Sequence, residues 1–156
     1  MLRFRRLERI IMYFIPFVYL LIGTYTDIKY KSINLLTSLF FFIFALLYFC
    51  IFTKLGLTDF IIRETPGILL IVTSLIFKAH VGLGDGIILL VCGLFLGITD
   101  LFAILFFSCI LLFIFALYKV IRCKVSKSYT IPYIPFLFLS YGLIFLKKGG
   151  ILNNQD

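Results

Sequence analysis

The stretch "AHVGLGDGIILLVCGLFLGIT", residues 79–99, decides the fold. Its charge-free part, 86–99, would make a helix about 21 Å long at about 1.5 Å per residue, too short for a bilayer core of about 30 Å. Membrane length is reached only by starting near Ala79, which carries Asp85 into the helix and sets it within, or at the lip of, the hydrocarbon. Composition requires that step: 63% of the 156 residues are hydrophobic, 14% are charged, and the mean hydropathy is +1.17. A water-soluble monomer would expose most of that surface, so the sequence predicts an integral membrane protein.

Four other uncharged runs, 10–26, 33–53, 101–118 and 128–146, approach or reach spanning length unaided. A sixth, 65–77, is too short and must borrow polar neighbours. In "LGLTDFIIRE", Asp59 and Arg63 stand four apart, where pairing on one helical face would extend that span back towards Leu55, with Pro66 and Gly67 as a kink or as its true start. The expectation is an all-α polytopic membrane protein of about six transmembrane helices, with residues 1–156 forming a single unit. The basic leader "MLRFRRLER" resembles a signal peptide, but no small-residue cleavage site of the A-x-A kind follows, so the first span is expected to be retained.

The net charge of +8 comes from Lys and Arg at the ends of spans, a pattern of anchoring to anionic lipid headgroups rather than of nucleic-acid binding. The basic connection at 119–130 fits that anchoring. Orientation is not set by charge. Under six spans, Lys29, Lys31, Lys78, Lys119, Arg122, Lys124 and Lys127 share one side, and Arg3, Arg5, Arg6, Arg9, Lys54, Arg63, Lys147 and Lys148 the other, seven against eight. Cys50, Cys92, Cys109 and Cys123 are scattered without a C-x-x-C, which argues against both a zinc site and a disulfide framework. The lone His80 reads as a packing or interfacial residue.

The acids remain. Asp156 is terminal, Glu8 sits among arginines, Asp59 and Glu64 can be neutralised by Arg63, and Asp100 fits a helix N-terminus. Asp27 and Asp85 each stand where a long apolar stretch meets a connection, and the two spans between them put both on the same side whichever way up the chain lies. Two carboxylates close together in a poorly hydrated place cannot both ionise cheaply, so one keeps a proton while the other stays charged. Such a pair can activate water and protonate a leaving amine with no metal and no cofactor. Gly82, Gly84 and Gly86 admit two readings of equal weight: they clear space for an extended substrate backbone beside Asp85, or Gly82 and Gly84 make a tight turn with Asp85 as a helix cap.

Three stretches carry a family resemblance. "TDIKYKSIN" at 26–34, "GLGD" at 82–85 and "IPYIPFLFLSYGL" at 131–143 resemble, in order, the first acidic motif, the second acidic motif and the proline-containing start of the last span of type IV prepilin peptidases, intramembrane aspartyl proteases of the G-x-G-D kind. Two positions depart from that pattern: Asn34 follows Ile33 without an intervening Pro, and Ile87 stands where a Lys is usual. There is no room for the cysteine-paired insert of the larger members, so the resemblance implies a peptidase alone, without a methyltransferase activity. It also implies that Asp27 and Asp85 are the catalytic pair, with Gly82 and Gly84 as motif backbone. The implied setting is the plasma membrane, multi-pass, with the active site facing the cytoplasm. The implied substrate is a prepilin or pseudopilin precursor, cut after the Gly that ends a short basic leader.

Two competing readings are set against this one. A presenilin-like protease would carry a Tyr-Asp pair and a Pro-Ala-Leu motif, but here Thr26 precedes Asp27 and no Pro-Ala-Leu occurs. A small transporter or structural subunit could instead use intramembrane acids to relay protons or bind a cation.

Overall fold

The computed structural model describes residues 2–31, 33–52, 56–77, 83–123 and 131–153. These form six helices: α1 (Leu2–Tyr30), α2 (Leu35–Phe52), α3 (Leu57–Phe77), α4 (Leu83–Leu96), α5 (Ile98–Cys123) and α6 (Ile134–Asn153), with no strand among the described residues. The all-helical class is as expected. Leu35–Phe52 and Ile98–Arg122 are long and apolar enough to cross a membrane, and most of their side chains, Phe44 and Phe113 among them, face out of the bundle. Apolar side chains turned outward suit a surface solvated by lipid tails.

The decisive stretch forms the centre of the bundle. α4 packs against α1, α2, α3 and α5, and Ile88, Leu89, Val91, Cys92, Leu94, Phe95 and Leu96 are all buried. Its described length, Leu83–Leu96, gives about 21 Å of helix, shorter than the span expected from Ala79. Residues 78–82, including His80 and Gly82, lie outside the described residues, as do 124–130 of the basic connection. Surrounded by protein, α4 need not reach both faces of a bilayer to satisfy its backbone.

Apolar burial against lipid provides little net drive for helix association, so close packing and polar contacts must hold the bundle together. The tightest packing is between α3 and α4, which run antiparallel with glycines at the contact. A Cβ on Gly93 would lie 2.6 Å from the Arg63 carbonyl oxygen, one on Gly67 would lie 2.9 Å from the Leu90 nitrogen, and one on Gly86 would lie 3.1 Å from the Gly67 carbonyl oxygen. Positions 86, 90 and 93 share one face of α4, and 63, 67 and 71 share one face of α3, so the seam runs along both helices. Aromatic pairs tie the other interfaces: Tyr48–Phe95 joins α2 to α4 and Phe17–Phe138 joins α1 to α6, both with centroids 5.2 Å apart. Such pairs contribute about 0.5–1.5 kcal/mol each beyond their area.

α3 runs from Leu57 through Pro66, so the proline lies inside the helix and does not start it. The expected Asp59–Arg63 pair does not form. Arg63 donates instead to the Leu94 carbonyl at 3.5 Å, lies over the Phe49 ring and borders Gly97, whose φ of 77° reverses the chain between α4 and α5. A cation at the carbonyl-rich end of a buried helix is worth more than an exposed ion pair, which explains the choice. Nor does Arg63 neutralise Glu64, because neighbours on a helix point about 100° apart. Glu64 is 3% exposed, lies beside the buried Cys92, and its Oε1 has no hydrogen-bond partner.

Candidate active site

Asp27 lies in the last turn and a half of α1 and Asp85 in the first turn of α4. Register brings them together. A Cβ on Gly23 would lie 3.6 Å from Ile88 Cδ1, so α1 and α4 touch there; one turn towards the end of α1 is Asp27, and one turn towards the start of α4 is Asp85. The two carboxyl groups are half-buried and within electrostatic reach of one another.

The connection after α1 closes around this point. The Lys31 N–H donates to the Asp27 carbonyl at 3.0 Å, and Lys31 adopts a left-handed φ of 48°, ending the helix. Asn34 then caps α2, its Oδ1 accepting from the Leu36 N–H at 3.0 Å and its carbonyl from the Ser38 N–H at 3.1 Å. Between them Ile33 turns inward, and its Cδ1 occupies the position a Cβ on Gly84 would take. The stretch at 26–34 and the stretch at 82–85 therefore meet directly, through Ile33 and Gly84.

Of the three glycines read around Asp85, Gly84 receives Ile33 and Gly86 belongs to the α3 seam. Neither leaves open space beside the acid in this conformation. Gly82 lies outside the described residues. The placement of Asp85 in the first turn agrees with the helix-start half of the alternative reading, and Asp100 likewise stands in the first turn of α5.

The surroundings of the two acids differ. Asp27 Oδ2 accepts the Ile134 N–H, the first of α6, at 3.2 Å, whereas Asp85 has no hydrogen bond among the described residues. The start of α6 is fixed by the Tyr133 carbonyl, which accepts the Phe136 and Leu137 N–H groups, and Pro135 in the first turn sacrifices no helical bond. Tyr133 itself lies within electrostatic reach of Asp85, and its hydroxyl meets Ser108 Oγ of α5 at 2.7 Å. In the sequence, the stretch at 131–143 resembles only a proline-containing span start. That resemblance could not supply these partners, because Asp27 and Ile134 are 107 residues apart and no periodicity links them.

A shallow cleft opens beside this site between α1 and α2, lined by Tyr19, Gly23, Thr26, Ile33, Asn34 and Ile88 among others. No group of three His, Cys, Asp or Glu side chains converges among the described residues. Cys92 is buried, Cys50 and Cys109 are exposed, and all three are free thiols. The arrangement brings two half-buried carboxyl groups within electrostatic reach at one end of a helical bundle.

The model of the type IV leader peptidase family matches residues 14–117, from the first half of α1 to the last turns of α5. No curated protein and no solved structure matches the chain.

Proposed function

The chain belongs to the type IV leader peptidase family, and on that premise we propose that it is an intramembrane aspartyl endopeptidase whose catalytic pair is Asp27 and Asp85. Membership makes it a leader-peptidase-like membrane protease, and the apolar outward faces of α2 and α5 agree with that setting. The observation that carries the finer reading is the antiparallel register of α1 and α4, which puts both acids at one end of the bundle.

In the proposed reaction one carboxylate takes a proton from water as the water oxygen bonds to the scissile carbonyl carbon. The other, protonated, acid gives its proton to the amide nitrogen as the C–N bond breaks. The products are a leader ending in a free carboxyl group and a chain with a new amino terminus. The chain spans the plasma membrane several times with this end facing the cytoplasm. Its substrate is a prepilin-like or pseudopilin-like precursor whose basic leader ends in Gly, and whose apolar helix lies in lipid against the bundle. Gly84, with Gly82 before it, provides the side-chain-free approach to Asp85 once Ile33 withdraws.

The test is to incubate the full-length chain, in liposomes, with a precursor built as basic leader, Gly and apolar helix, and to weigh the products by mass spectrometry. A leader fragment ending in that Gly is expected. Recovery of only intact precursor across a panel of such substrates, with the enzyme folded, would refute the reading.

A further inference from the structure

Ser108 and Tyr133 are joined in a way that the hydrolytic step above does not use. Ser108 is fully buried in α5, and its hydroxyl donates to the Leu105 carbonyl at 2.8 Å. A serine hydroxyl has one proton, so in the 2.7 Å contact with Tyr133 it is the tyrosine that donates. Both partners are then satisfied: Ser108 gives to its own helix and accepts from Tyr133, which stands one residue before α6. The next residue along, Ile134, points its N–H at Asp27 Oδ2, and the Tyr133 hydroxyl lies within electrostatic reach of Asp85. One short segment thus touches α5 with a side chain, Asp27 with its backbone and Asp85 with its field.

We propose that Ser108 and Tyr133 are positioning residues for the acid pair: their hydrogen bond pins the start of α6 to α5 and so holds the Ile134 N–H against Asp27. This rests on the assignment of Asp27 and Asp85 as the catalytic pair. Geometry makes the strut necessary. The connection between α5 and α6 enters the helix through Ile131 and Pro132, which form no helix of their own, so the hydroxyl pair, with the Cys109 thiol beside the same Tyr133 hydroxyl, ties α5 to the start of α6. The remaining aromatic contact, Phe115–Phe136, is apolar and tolerates sliding, whereas a buried hydroxyl pair has one geometry. A shift of the α6 start by a fraction of an ångström would lengthen the 3.2 Å bond to Asp27, and reaction rates fall steeply with such misplacement.

The test is a double-mutant cycle on cleavage of the leader–Gly–helix precursor by the full-length chain. Tyr133→Phe and Ser108→Ala are each expected to lower kcat about tenfold with KM within about twofold, and the double variant to show the same total loss of about tenfold, not a hundredfold, because both remove one bond. The matched control is Tyr141→Phe, which deletes another buried tyrosine bond, from the Tyr141 hydroxyl of α6 to the Tyr13 carbonyl of α1, away from the acids. It is expected to leave kcat within about twofold. Melting curves of all variants in the same micelles establish that each is folded. Wild-type kcat in Tyr133→Phe and Ser108→Ala, multiplicative losses in the double variant, or an equal loss in Tyr141→Phe would overturn the proposal. If Asp27→Asn and Asp85→Asn are dead while the strut variants are unimpaired, the strut alone fails. If the aspartate variants still cleave, the pair assignment itself fails.

Discussion

The two ends of α4 are built on opposite principles. At the far end, Val91 to Leu96 are buried without exception, Gly93 lets the α3 backbone come into contact, and Arg63 closes the last carbonyls where Gly97 turns the chain. At the near end, Leu83 is exposed, Asp85 is half-buried, and although Gly86 still meets α3, the space beside Gly84 is filled by a loop residue, Ile33. One end is seated and the other is accessible. A short helix wedged among four others can hold a carboxyl group in place at its open end because its closed end is buried and packed against its neighbours, which is how a precise site is kept on a rigid element.

The largest effects should fall on the open end and on activity alone. Asp85→Asn and Asp27→Asn are each expected to reduce cleavage by about a hundredfold to ten-thousandfold, the range for loss of a group that transfers a proton, while the melting temperature stays near that of the parent. Equal loss of folding would place these acids in the framework rather than in the chemistry. Next comes the closed end, where the effect should be on stability. Gly93→Ala forces a methyl group against the Arg63 carbonyl, a backbone atom with nowhere to go, and should cost about 2 kcal/mol in unfolding measured by denaturant in micelles.

Smaller again is Arg63→Met, which keeps the apolar stem over Phe49 and removes the charge from the Leu94 carbonyl; about 1 kcal/mol is expected, with cleavage retained. The least should come from Asp59→Asn. Arg63 is committed elsewhere, so stability should change by no more than about 0.5 kcal/mol, and a larger loss would restore the ion pair that the helix spacing suggested.

Apolar runs bounded by charges are a local signal, which is why α2 could be read from the sequence almost to its ends, why α1 and α5 could be read only in their apolar cores, with α1 beginning well before its uncharged run, at Leu2, and why Asp27 and Asp85 could be put at one end of the bundle by counting the spans between them. What could not be read is anything that depends on which helix faces which. Gly86 looked like part of a glycine cluster around an acid, yet its neighbour is the Gly67 carbonyl of α3. Arg63 looked like the partner of Asp59 because both lie on one helix, but the carbonyl it serves is 31 residues away. Glu64 looked neutralised by its neighbour and is instead buried with an unpartnered oxygen. Long-range contacts leave no trace in spacing. The start of α6 was misplaced for a related reason: 128–133 is as uncharged as a span, and only Pro132 with the Tyr133 carbonyl marks Ile134 as the first helical residue.

The most direct measurement is chemical cross-linking between positions 27 and 85. With Cys50, Cys92, Cys109 and Cys123 replaced by Ala, Asp27→Cys and Asp85→Cys are combined in one chain in native membranes and treated with a short thiol-specific bifunctional reagent. Efficient intramolecular cross-linking, with both thiols labelled from the same side, is the expected result. Labelling of the two thiols from opposite sides of the membrane, with no cross-link, would show that these acids never share a site.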